Sequence, residues 1–378
     1  MKTMSFEGSG FEYFKIWIVN ILLIVITFGI YYPWAKVRNH RYFYANSTLD
    51  GRNFEYHATG KQLFFGYLIA MALLITYAII QQVSPIGSFI VLGIFLLALP
   101  WIIWRSFKFN MRVTSFSNVR FSFEGDLGGA YINFMLLPLL ALFSLYAAPI
   151  LLAVLVPAYA KEPSVLIILF AIVGFIGLLV LALYAFAFTA KKNTTYSING
   201  SRFGQGQFST LLETRILAKI YLKAAILSIA LFIALMVMIA VIATATTGLS
   251  GMLELQQVME GSGEKNSAAI AALTAVILPV YLGFIVIGLI GAAYLQSRFR
   301  EYVFANSSLD HEISFASNLG ARQLAFVMVT NLLLVAITLG LGMPWAKIRM
   351  VRLILENTEV DADNIDRYIS QNRKNSLL

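Results

Sequence analysis

Two short runs near opposite ends of the chain set a tryptophan beside cations. They are Pro33-Trp34-Ala35-Lys36 followed by Arg38, and Pro344-Trp345-Ala346-Lys347 followed by Arg349. In both, the indole marks the end of an apolar stretch, the place where interfacial tryptophans anchor a chain. The cations behind it have the chemistry to bind lipid phosphate. Asn20, Thr27, Asn331 and Thr338 are polar groups inside apolar stretches, as are Asn133, Tyr146 and Tyr184. They read as hydrogen bonds between helices, with Asn20 and Asn331, matched in sequence context, as candidates for lining a shared cavity. Asp50 with Gly51, Asn199 with Gly200, and Asp310 read as hairpin-turn residues.

Little else points to chemistry. His40, His57 and His311 show no metal-ligand spacing, and each reads first as a solvated residue. His57 beside Glu55, and His311 between Asp310 and Glu312, are the two with acid–base potential. The chain has no cysteine, which removes thiolate chemistry and disulfides. Gly204 to Gly206 lacks the Lys and Ser or Thr of a phosphate-binding loop. The expectation is therefore no catalytic residue, no metal site, no cofactor and no enzymatic activity.

The elements that position these residues are set by lipid. Of 378 residues 59% are hydrophobic and 12% charged, and the mean hydropathy is +0.77. Apolar stretches run over 14–32, 63–80, 86–104, 131–158, 165–190, 216–247, 268–295 and 324–343. Each is about the length that crosses roughly 30 Å of hydrocarbon as a helix. Continuous apolarity excludes transmembrane strands, which alternate. The predicted fold class is thus an all-α polytopic membrane protein of about eight transmembrane segments, forming a single membrane domain over 1–378. Pro138, Pro149 and Pro157 are expected to kink the fourth segment or end it early.

The net charge of +9 is assigned to lipid rather than nucleic acid because the cations concentrate in alternate loops. Lys36 to Lys61, Arg105 to Arg120, Lys191 to Arg215 and Arg298 to Arg322 are expected to be cytoplasmic. The opposite connections, Gln81 to Pro85, Tyr159 to Ser164 and Gly248 to Ser267 with Glu254, Glu260 and Glu264, are expected to be periplasmic. The first apolar segment has the character of a retained anchor rather than a cleaved signal.

Internal repeats organise the loops. Residues 20–50 lie over 331–361 without a gap, and 45–65 over 305–326 with one inserted residue. Weaker copies occur at 114–123, around Ser117-Asn118, and at 193–203, around Asn199-Gly200. All four read as β-hairpins in the cytoplasmic loops, pairing edge to edge into a small cap. The repeat also creates a conflict. Eight full crossings place the two Pro-Trp-Ala-Lys runs on opposite sides of the membrane, whereas like sequence implies like surroundings. Segment length favours crossing over re-entry, and the count of eight rests on that. Lys347, Arg349 and Arg352 favour a cytoplasmic C-terminus.

The stretch Tyr32-Pro33-Trp34-Ala35-Lys36-Val37-Arg38 followed by Arg41-Tyr42-Phe43-Tyr44-Ala45-Asn46, with its second copy near the C-terminus, resembles the YjgN-like family of bacterial inner-membrane proteins. The resemblance covers essentially the whole chain. It implies a multi-pass inner-membrane location, and no catalytic or binding residues carry over from it. Two functions fit these residues: a transporter or channel for a neutral, amphipathic or lipid-like solute, and a non-transporting scaffold whose basic hairpin cap binds anionic lipid. The expected partners are membrane lipids, anionic ones foremost, with a homo-oligomer or a protein partner compatible with either.

Overall fold

A computed structural model describes residues 1–159, 165–259 and 267–361, together with Ile365 and Ile369. The chain repeats one unit five times: a five-residue strand, two helices, and a three-residue strand. The first repeat is β1 (Lys2–Phe6), α1 (Gly10–Ile26), α2 (Tyr32–Ala45) and β2 (Ser47–Leu49). The second is β3 (Arg52–Tyr56), α3 (Gly60–Val83), α4 (Pro85–Arg112) and β4 (Thr114–Phe116). The third opens with β5 (Val119–Phe123) and a broken helix, α5 (Leu127–Tyr131) and α6 (Leu137–Tyr159), and closes with α7 (Val165–Asn199) and β6 (Ser201–Phe203). The fourth is β7 (Gly206–Thr210), α8 (Thr214–Met259), α9 (Ser267–Ala305) and β8 (Ser307–Leu309). The fifth is β9 (Ile313–Ser317), α10 (Ala321–Ile337), α11 (Met343–Glu356) and β10 (Thr358–Val360).

The ten strands close into an antiparallel barrel in chain order, with β1 paired to both β2 and β10. The tight turns therefore share one end, and the chain leaves for every helix at the other. Closure goes further than the cap of paired hairpins expected from sequence, because the fifth hairpin is made from the two chain ends. Lys2 pairs with Val360, and no open strand edge is left. The barrel is filled. The last residue of each short strand, Leu49, Phe116, Phe203, Leu309 and Val360, is buried at its centre. The middle residue of each long strand, Met4, Phe54, Phe121, Phe208 and Phe315, packs against that ring. Ile313, Ile365 and Ile369 complete the cluster.

Each joint from helix to short strand uses the same bond. The hydroxyls of Ser47, Thr114, Ser201, Ser307 and Thr358 donate to the carbonyls of Phe43, Asn110, Ser197, Val303 and Ile354, at 2.6 to 2.8 Å. This occupies carbonyls that a helix end leaves without partners. The turns at Asp50-Gly51, Ser117-Asn118 and Asp310-His311 have positive φ at both residues, which suits the twist of short hairpins. The expected turn at Asn199-Gly200 is corrected. Asn199 ends α7, Gly200 follows it, and the chain reverses at Gly204-Gln205 between β6 and β7.

Among the described residues six helices are long and apolar enough to cross a membrane, two in each of the second, third and fourth repeats. The expected count of eight is not confirmed, and the two segments without a membrane-length helix are those at the ends. α1 has 17 residues and α2 has 14, joined by a turn over 27–31. Since β1 and β2 are neighbours in the barrel, this pair enters and leaves at one face, and α10 with α11 does the same. Each pair is a helical hairpin that turns back at the end away from the barrel. In the third repeat a π-helical turn, Ile132–Leu136, precedes Pro138 and absorbs its missing N–H, and the helix continues past Pro149. α8 reaches Met259, so the predicted periplasmic loop from Gly248 is largely helical. Glu260, Glu264 and Lys265 lie outside the described residues, as do 160–164.

The chain forms two compact units: Met1–Ala218 with Arg300–Leu319 and Leu334–Leu378, which holds the barrel, and Lys219–Phe299 with Gly320–Leu333. Within the second, Gly283 and Gly291 let α9 approach Leu235 and Ser228 of α8.

Candidate functional site

The Trp34 and Trp345 rings are inter-repeat joints. Trp34 on α2 lies on Gly60, where the next repeat's α3 starts, and its ring is 5.2 Å from Phe64. Trp345 on α11 lies in the same way on Gly10 at the start of α1, 5.3 Å from Phe14. The fifth repeat therefore meets the first as the first meets the second. Arg41 and Arg352 donate to the carbonyls of Ala58 and Gly8 at 2.8 and 2.9 Å, and Trp104 donates to Gly125 at 2.6 Å, all across such joints.

Thr27 and Thr338 build the hairpin tips. Each hydroxyl donates to the carbonyl four residues back, Leu23 or Leu334, at 2.6 Å. Each then accepts from the backbone N–H four residues on, that of Tyr31 at 3.0 Å or Gly342 at 2.7 Å. Phe28-Gly29 and Leu339-Gly340 turn with positive φ. Phe28 and Leu339 stand 94% exposed, so the outermost groups of both hairpins are apolar.

One register yields the cations. Counting back from the start of each short strand gives a buried Pro or Ala, then an aromatic ring, then an exposed cation four residues after the ring. The sets are Pro33, Trp34 and Arg38; Pro100, Trp101 and Arg105; Ala187, Phe188 and Lys192; Ala293, Tyr294 and Arg298; Pro344, Trp345 and Arg349. Arg105 sits 5.8 Å from the centre of the Trp101 ring, and Lys192 5.6 Å from that of Phe188. Sequence reading found only the first and last sets. The other three replace the Trp-Ala-Lys core and emerge only when counted from the strands.

A cavity of about 380 Å³ opens between α1 and α2. Asn20, Asn39, Lys36, His40 and Lys347 provide its polar lining, and Trp17, Ile21, Ile24 and Phe43 its apolar side. Asn20 is buried and donates from Nδ2 to Asn39 Oδ1 at 3.1 Å, while its own Oδ1 has no partner. Lys347 is an exposed side chain by area. Its ammonium nonetheless lies 4.7 Å from the centre of the Phe43 ring and 3.3 Å from the Tyr13 hydroxyl, and this local desolvation lowers its pKa. Burial also lowers the pKa of His40, with Lys36 and Lys347 adding to the effect, so the imidazole is neutral at pH 7. Asn331 is buried in the second unit, and the cavity at Asn20 is lined by the first unit alone.

The remaining candidates are structural. Asp50 takes Lys2 of β1 at 2.6 Å rather than bonding its own turn, and Asp310 accepts from the Gln207 backbone of the neighbouring hairpin at 2.8 Å. Asn199 accepts from the Thr210 backbone at 2.9 Å. His57 Nε2 lies 2.7 Å from the buried Ser115 hydroxyl and 3.3 Å from Glu55, a strand-to-strand contact whose hydroxyl no substrate reaches. Among the described residues no group of three potential metal ligands occurs.

Residues 1–377 match the family described as bacterial protein of unknown function, DUF898. The chain belongs to that family. It is 28% identical over 365 residues to the inner membrane protein YjgN of Salmonella typhimurium, covering 96% of this chain and 89% of that one. It is 28% identical over 374 residues to the protein of the same name from Escherichia coli strain K12, covering 95% and 88%. No solved structure matches it. With six membrane-length helices and such relatives, the DUF898 chain is a multi-pass inner-membrane protein.

Proposed function

We propose that this protein is a membrane scaffold that gathers anionic lipid around the mouth of its barrel, with the barrel on the cytoplasmic side. The observation that carries this reading is the recurrence of an aromatic ring and an exposed cation at one register in the four sets that belong to the barrel's unit, at Arg38, Arg105, Lys192 and Arg349. A cation next to an interfacial ring holds a phosphate while the ring packs at the acyl boundary. Transport of a neutral or amphipathic solute is the competing function. A channel along the barrel axis is disfavoured by the two apolar rings that fill it.

The test is lipid analysis of the purified protein. Replacing Arg38, Arg105, Lys192 and Arg349 by Gln together is expected to strip most co-purifying anionic lipid while leaving the helical circular dichroism unchanged. An unaltered lipid complement in the folded variant overturns the scaffold reading. Flux of an amphipathic solute in proteoliposomes would favour transport.

A further inference from the structure

The cavity at Asn20 differs from the rim because it is not repeated. The fifth repeat keeps Asn331 and Lys347 where the first has Asn20 and Lys36, but Asn39 and His40 become Met350 and Val351. A frame of equivalent helices has no need for an Asn–Asn pair, a histidine and two lysines in one place only. The lining also includes no carboxylate. Its charge therefore calls for an anion.

Two further features define that anion. Asn20 is 2% exposed, and with Nδ2 committed to Asn39 its Oδ1 is a buried acceptor with no donor. Leaving such an acceptor unmatched is unfavourable, so the occupant that fits brings an N–H or O–H. Ile21 and Ile24 extend the lining toward the apolar tip at Phe28, a surface that a free phosphate leaves uncovered and an acyl chain covers.

We infer that this cavity seats one glycerophospholipid whose phosphate meets Lys36 and Lys347 and whose head group carries a hydroxyl or amine that donates to Asn20 Oδ1. The inference rests on the bilayer setting of the scaffold reading but uses different side chains from the rim cations.

The experiment is native mass spectrometry of the full chain in detergent with short-chain lipids. Phosphatidylglycerol offers head-group hydroxyls, whereas phosphatidylmethanol has the same charge and no donor. One hydrogen bond predicts roughly three- to tenfold tighter binding of phosphatidylglycerol. Asn20→Leu is expected to abolish the difference, and Lys36→Gln with Lys347→Gln to weaken both lipids. Asn39→Ser serves as a milder variant should Asn20→Leu fail to fold, and it is expected to reduce the difference by releasing Asn20. Equal binding of the two lipids by the native protein overturns the inference. Equally, displacement by millimolar inorganic phosphate would show a site for a soluble anion. In the rim variant this preference is expected to persist, so loss of rim lipid alone counts against the scaffold, and loss of the preference there counts against a separate site.

Discussion

The first and fifth repeats have the same strands as the second, third and fourth, yet their helical pairs are shorter. α1 and α2 have 17 and 14 residues, whereas α8 and α9 have 46 and 39. At about 1.5 Å per residue, α1 spans roughly 26 Å, short of the roughly 30 Å of a bilayer's hydrocarbon. The barrel thus specifies where every helical pair begins and ends, and helix length alone decides whether a pair crosses. α1 and α11 adjoin each other where the fifth repeat meets the first, and the cavity at Asn20 lies beside them.

The largest effect expected from this contrast is in topology. The native chain has no cysteine, so single cysteines report cleanly. Cysteines at Gly51, Asn118 and Gln205, in the barrel turns, are expected to label with an impermeant maleimide from one membrane face only. Cysteines replacing Phe28 and Leu339 are expected to stay protected from both faces. Tips that label from the face opposite the barrel would restore full crossings for the end repeats.

Next comes the barrel core against the tips. Phe116→Ala empties a site at the centre of the filled barrel and is expected to destabilise the fold by about 3–5 kcal/mol. Leu339→Ala, at an outermost position, is expected to shift thermal unfolding little. A smaller loss follows at the joints. A Cβ on Gly60 would lie 2.3 Å from Trp34 Cδ1, and one on Gly10 equally close to Trp345. Gly60→Ala and Gly10→Ala are expected to cost about 1–3 kcal/mol each, because ring and helix must part. Similar losses at the two sites would confirm the equivalence of the covalent joint and the one across the chain termini.

Much of this was legible from residues. The six membrane-length helices overlap six of the predicted segments, and most of them run on beyond the apolar stretch, because sustained apolarity at that length marks a helix in lipid while its polar continuation carries no such signal. The end segments misled for a specific reason. Their tips, Phe28-Gly29-Ile30 and Leu339-Gly340-Leu341, are exposed, apolar and without polar punctuation, so a reversal reads as a continuing span. Asn199-Gly200 misled because the same pair marks a hairpin turn and a helix stop, and here it is the stop. Barrel closure was hidden in strands of three and five residues, too short for alternation to register, two of them at the chain ends. For the site, Asn20 was singled out from its surroundings. Asn39 and His40 join it only through the fold of α1 against α2.

The smallest effect concerns the seam itself. Lys2 on β1 meets Asp50 at 2.6 Å, and Arg52 lies 3.8 Å from the same carboxylate. The hydrogen bond from Lys2, together with the charges of Lys2 and Arg52, holds the Asp50 pKa below its usual value. Because the folded pKa is the depressed one, the unfolded chain takes up the proton first as pH falls. The stabilisation is therefore complete above the ordinary carboxylate range and is lost as pH drops through the folded pKa. The pair is solvent-facing and screened by salt, so its effect is small. Asp50→Asn is expected to lower the melting temperature slightly at pH 7 and not at pH 2.5, with 1 M salt erasing the difference. If Asp50→Asn lowers the melting temperature equally at low and high salt, the ion pair of Lys2 and Asp50 contributes nothing to holding the closing strand.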